Sequence, residues 1–172
     1  MNYYGAKEMA ESWRTVRKNT IQVAEDIPED KYSFRPAPET MTVAEIFSHL
    51  AVTPYWAQQC HFVDKKVTVT REDFGRWMGD LPKQASTLTS KAAIVDALKK
   101  NGEQFASQME GMSDAQLGEM VTLPMATKTR FEMLLGVKEH EMHHRAQLFL
   151  IERLLGIVPH LTRARQAAMA AR

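Results

Sequence analysis

The chain has one cysteine in 172 residues, so no disulfide can form within it. That residue, Cys60, falls in a helical stretch and reads as a packed thiol rather than a nucleophile. Neither sign of charge is in excess: 22 Lys and Arg stand against 21 Asp and Glu, a net charge of +1. The charges are mixed along the chain, so the electrostatic footprint of a nucleic-acid binder is missing. No apolar run reaches the roughly 18 residues that a membrane span needs. Met1 to Glu8 carry neither the basic segment nor the apolar core of a signal peptide. The expectation is a cytoplasmic protein with no membrane and no nucleic acid among its partners. Repeats, low-complexity blocks and composition breaks are also missing, so residues 1–172 are expected to form one domain.

Proline is absent between Pro124 and Pro159. That gap reads as one long helix, capped at Thr129-Arg130-Phe131-Glu132 and running to about residue 155, where Gly156 suits its end. Three other long runs have helical spacing. Residues 3–26 place Met9, Trp13, Val16, Thr20 and Val23 on one face, and Pro28 stops the run. Thr42-Val43-Ala44-Glu45 is a capping box that opens a helix to about residue 64. Pro54 lies inside it and removes the bond to the Leu50 carbonyl, so a kink is expected there. Ser90 caps a helix over 91–110.

Shorter helices are expected from Ser113-Asp114-Ala115-Gln116 and over 162–172. Phe34 is expected to pack beneath the linker that holds Pro36 and Pro38. Residues 65–90 have little periodicity and read as a connection in which Asp73 to Met78 forms a short turn or lid. Val121 to Thr127 reads as irregular. Four long helices with long connections indicate an all-α four-helix bundle, with the chain crossing twice between helices of the same sense.

The chemistry concentrates in Lys138 to Gln147, which holds three of the six histidines. His140 and His144 are four residues apart, so on a helix their Cβ atoms lie about 5–6 Å apart on one face. Two imidazoles so placed can close on one metal ion at about 2.0–2.1 Å per bond. His143 points roughly 100° away from His144 and belongs to another face; it reads as a surface or pocket-rim group. Spacing alone is weak evidence, because six histidines offer many chances for such a pair and helical histidines often serve as packed or surface groups.

Position adds weight. His140 and His144 share the apolar side with Met133, Val137, Leu148, Ile151 and Leu155. The site needs a further ligand, and the best candidate is His49, which lies on an apolar face beside Ile46, Leu50 and Ala51. Buried polar groups need partners, and a shared metal would satisfy all three imidazoles at once. His140-Glu141-Met142-His143-His144 also matches the H-E-x-x-H of zinc peptidases letter for letter. Against a peptidase stand the missing downstream third ligand and the missing substrate-binding strand. Glu141 reads instead as a carboxylate on a partly solvated face, with Arg145 four residues on.

The helix Thr42-Val43-Ala44-Glu45-Ile46-Phe47-Ser48-His49-Leu50-Ala51, followed far downstream by His140-Glu141-Met142-His143-His144-Arg145-Ala146-Gln147, resembles the DinB/YfiT-like family. Phe34-Arg35-Pro36-Ala37-Pro38-Glu39-Thr40 and Leu155-Gly156-Ile157-Val158-Pro159 are similar to it too, so the resemblance covers most of the chain. Ala146 stands where the family often has glycine. The resemblance implies a DinB-like four-helix bundle, up-down-down-up, with short extra helices. It implies a divalent metal, Zn or Ni, held by three histidines that map onto His49, His140 and His144. It further implies a small-molecule substrate, a homodimer, and one of two activities: transfer of a low-molecular-weight thiol to an electrophile, or metal-assisted hydrolysis. The competing class is a non-catalytic, stress-related or binding protein that the metal merely stabilises.

Overall fold

A computed structural model describes residues 4–171. Tyr3 and Arg172, outer bounds of the first and last expected helices, lie outside the described residues. Helix α1 spans Ala6–Asp26, α2 Val43–Val52, α3 Pro54–Gln58, α4 Arg71–Ala85, α5 Lys91–Glu110, α6 Asp114–Gly118, α7 Arg130–Leu154 and α8 His160–Ala170. Two three-residue strands, β1 (Met120–Thr122) and β2 (Thr127–Thr129), form an antiparallel hairpin before α7.

The helix starts are set chemically. Thr42, Thr70, Ser113 and Thr129 each accept a hydrogen bond from a backbone N–H three residues on, and the Glu45, Asp73, Gln116 and Glu132 side chains reach back to the cap N–H groups. Ser90 caps α5 through the Ala93 N–H. At the end of α7, Gly156 takes φ +78°. The Ile157 N–H then bonds to the Glu152 carbonyl at 2.7 Å and the Gly156 N–H to that of Arg153 at 3.1 Å, a Schellman motif that satisfies the last carbonyls.

Cross-helix bonds fix the chain directions. Arg14 pairs with Glu103 and Glu25 with Lys99, so α1 and α5 run antiparallel. Ser12 meets Lys138 and Arg17 meets Glu141, so α1 and α7 run parallel. Asn101 bonds to the Ala51 carbonyl and Gln108 to Gln58, so the α2–α3 arm follows α5. The order is up-down-down-up, an all-α bundle as expected. The chain crosses between helices of the same sense once, from α3 to α5, and not twice; the connection from α5 to α7 is long but reverses direction.

Two further expectations need correction. Residues 71–85 are not a loop with a short turn but helix α4, and residues 120–129 hold a hairpin. The two are joined: the Val69 N–H bonds to the Thr122 carbonyl and the Thr122 N–H to that of Val67. That bond pair holds the start of α4 beside the hairpin. Trp77 then enters a small cluster with Cys60, Val69, Val121 and Met133.

The main core packs α1, α2, α5 and α7 around Val23, Phe47, Leu50, Leu98, Leu148 and Ile151, with Phe34 packed against its edge. Pro54 breaks the second helical run, as expected: α2 ends at Val52 and α3 begins at Pro54. A π-helical turn over Gln59–Val63 completes that arm.

Candidate metal centre

The two caps phase the site. Thr42 starts α2 so that His49 faces α7, and Thr129 starts α7 so that His140 and His144 face α2. The structure brings the three sequence-selected histidines together. Their ring centroids lie 4.9 Å (His49–His140), 5.0 Å (His49–His144) and 4.6 Å (His140–His144) apart. One ring nitrogen from each falls within 4.8 Å of the others. The Nε2 atoms of His49 and His140 are 3.0 Å apart. Nitrogens sharing a tetrahedral ion at about 2.0–2.1 Å sit roughly 3.4 Å from one another, near the 3.0 Å of the His49–His140 pair.

The surroundings hold the rings as neutral donors. Burial pushes His140 down to about 4, with His49 and His144 adding to the effect. His49 and His144 are lowered by burial as well. Neutral imidazoles are the form that binds a metal. The Gln147 carbonyl oxygen accepts from His144 Nδ1 at 2.8 Å, which leaves His144 Nε2 as the free lone pair. The Gln147 amide nitrogen lies 3.2 Å from His143 Nε2, so one side chain ties both rings. Thr53 donates to the His49 carbonyl at 2.7 Å and places its hydroxyl 3.4 Å from His49 Nδ1. With no ion, the facing Nε2 atoms of His49 and His140 can share one proton, and His144 Nε2 gains nothing from that contact. A divalent ion uses all three lone pairs, so the donor set fits one.

The other histidines stand apart. His143 is exposed, as expected of a rim group. His61 is buried, accepts from Arg130 through Nδ1 at 3.0 Å, and is held down at about 4 by burial and by the Arg130 charge. His160 meets Asn19 at 3.2 Å. Cys60 is fully buried, and burial pushes its thiol up to about 11, the state of a packed thiol. Glu141 overturns its sequence reading. It is not on a solvated face but 1% exposed, and it pairs with Arg17 at 2.7 Å. The reason is geometric: Glu141 follows His140 by one residue, so it points about 100° away, into the α1 interface. It cannot serve as the base of an H-E-x-x-H peptidase.

Among the described residues two cavities reach the histidines, both lined by the same stripe of α4, with Met78 common to them. The larger, about 630 Å³, touches His49 alone of the three. The smaller, about 380 Å³, touches both His49 and His140 and is walled by Trp56, Phe74, Trp77 and Met133. The smaller one therefore fronts the site, and its wall is mostly apolar. Its carboxylate, Glu132, is tied to the Thr129 N–H and hydroxyl. Among the described residues no other His, Cys, Asp or Glu joins the cluster.

The sequence alone gives no role to Gln147 or Thr53, and it suggests Asp73 to Met78 as a short turn or lid rather than as part of the helix that walls the chamber. Phe74, Trp77, Met78 and Leu81 are spaced i, i+3, i+4 and i+7, and Thr70 with Asp73 is a helix-start pair; those are the signals that find α4.

Three histidines on the facing helices of a bundle, beneath a fourth helix and an apolar chamber, define a candidate metal-binding helical bundle. The model of the DinB superfamily matches residues 12–148, and the chain belongs to that family. The crystal structure of the DinB-like protein YjoA from Bacillus subtilis superposes with a TM-score of 0.68 at 24% identity, covering 87% of this chain and 92% of that one. No curated protein matches. No helix among the described residues is long and apolar enough to cross a membrane.

Proposed function

We propose that the protein is a metal-dependent transferase that joins a small thiol to an electrophilic small molecule, with His49, His140 and His144 as the metal ligands. The observation that carries this reading is the apolar chamber of about 380 Å³ that opens onto His49 and His140, where no fourth His, Cys, Asp or Glu among the described residues joins the cluster. The three neutral imidazoles would leave a bound divalent ion its full charge, and the chemistry it would supply is to favour the thiolate form of a nearby thiol.

The chain's own residues supply the rest. Trp56, Phe74 and Trp77 shape an apolar wall for the body of the electrophile. The reaction balances simply. The sulfur forms a bond to the electrophilic carbon, the leaving group departs with its bonding electrons, and the thiol proton passes to solvent. Metal-assisted hydrolysis uses the same ligands, but it gains from a carboxylate base. Glu141 is turned into the core and Glu132 is spent on a helix cap, which favours the thiol.

The test is cobalt substitution. Addition of a thiol should change the cobalt spectrum, and His144→Ala should abolish that change while helical content stays. A cobalt spectrum that reads as four protein ligands and ignores thiols and anions would leave the ion a purely stabilising role.

A further inference from the structure

We propose that Arg17 and Glu141 are positioning residues for the three-histidine site, in that one buried guanidinium sets the two ligand-bearing helices against each other. The inference rests on the metal reading above. Arg17 and Glu141 have side chains only 3% and 2% exposed. Arg17 Nη2 lies 2.7 Å from Glu141 Oε2, and it also donates to the Leu50 carbonyl at 3.0 Å. Those partners are not arbitrary in sequence: Leu50 follows His49, and Glu141 follows His140. The Leu50 carbonyl is free to accept because Pro54, four residues on, has no N–H to give it. One nitrogen on α1 thus touches α2 and α7 each one residue past a ligand.

The molecule makes room for this contact. The Arg17 guanidinium lies 4.8 Å from the centroid of the Trp13 ring, and Trp13 Nε1 donates to the Gly102 carbonyl at 2.9 Å. A Cβ on residue 102 would stand 2.6 Å from Arg17 Cγ and 3.1 Å from Cδ. The arginine stem therefore fills space that only glycine leaves on α5.

As a stability element the pair is poor. Arg17 Nε, Arg17 Nη1 and Glu141 Oε1 are buried with no hydrogen-bond partner among the described residues. Buried ion pairs so incompletely satisfied are commonly replaced by apolar side chains at no cost in stability. What an apolar pair cannot do is hold two helices at one fixed axial offset through directional bonds, and the separation of His49 from His140 depends on that offset.

Two variants test this without touching a ligand. Gly102→Ala displaces the Arg17 stem but keeps every charge; Arg17→Met/Glu141→Met removes the pair. Zinc affinity is measured by competition with a chromophoric chelator, alongside the cobalt spectrum and circular dichroism. Both variants should fold, bind zinc about 10- to 100-fold more weakly, and shift the cobalt bands. Wild-type zinc affinity in either variant overturns the proposal, and so does a double variant that fails to fold, since the pair would then be a stability element. A wild-type protein that binds no zinc would instead sink the metal reading itself, a distinct outcome.

Discussion

Glu152, two turns beyond His144 on α7, is fully buried, and neither of its carboxylate oxygens has a hydrogen-bond partner among the described residues. Burial, with Asp26 nearby, pushes it up to about 7, against the pull of Arg163 and Arg153. The folded protein therefore holds this proton more tightly than the unfolded chain does. Stability from this group is present at low pH and is lost as pH rises from about 4.5 through 7. The loss is on the order of 3 kcal/mol by pH 8. Glu152→Gln keeps the shape and removes the titration. Urea melts should find the variant more stable than wild type at pH 8, with the two converging below pH 5. A difference that does not change with pH would remove the buried carboxylate as its cause.

At the scale of elements, α4 carries the wall of the chamber. Trp77 is 2% exposed and donates to Asp64 at 3.2 Å, whereas Phe74 on the same helix is 44% exposed. Trp77→Ala should cost about 3–5 kcal/mol in thermal or chemical unfolding, and Phe74→Ala under about 1 kcal/mol. Equal costs would mean that α4 packs on a different face.

This helix also marks where the sequence was hard to read. Gly75, Gly79 and Pro82 dilute its helix propensity, so the stripe of Phe74, Trp77, Met78 and Leu81 looks like a loop until Thr70 and Asp73 are taken as a start. The four long helices were easier, because their caps and apolar stripes agree. The hairpin at 120–129 was hidden because three-residue strands leave no pattern to count. The three histidines were legible from their spacing and their apolar neighbours. Glu141 was not, because its partner Arg17 is 124 positions away, and a sequence carries no sign of which charges will meet in a core.

For the whole molecule, an ion bound at the proposed site would tie the second helical arm of the bundle to the last. Binding to the folded chain alone adds about 4 kcal/mol at a thousand-fold excess over Kd. For a chain of this length that corresponds to a Tm higher by on the order of 10 °C. Chelation should lower Tm by that amount in wild type and leave His140→Ala unmoved; an equal shift in both would place the chelator's effect elsewhere. The direct test is metal content. Protein prepared without chelator is expected to carry about one divalent ion per chain by elemental analysis. His49→Ala, His140→Ala and His144→Ala should each lose most of it, while His61→Ala and His160→Ala keep it. Undiminished metal in the His49→Ala protein would contradict the three-histidine site.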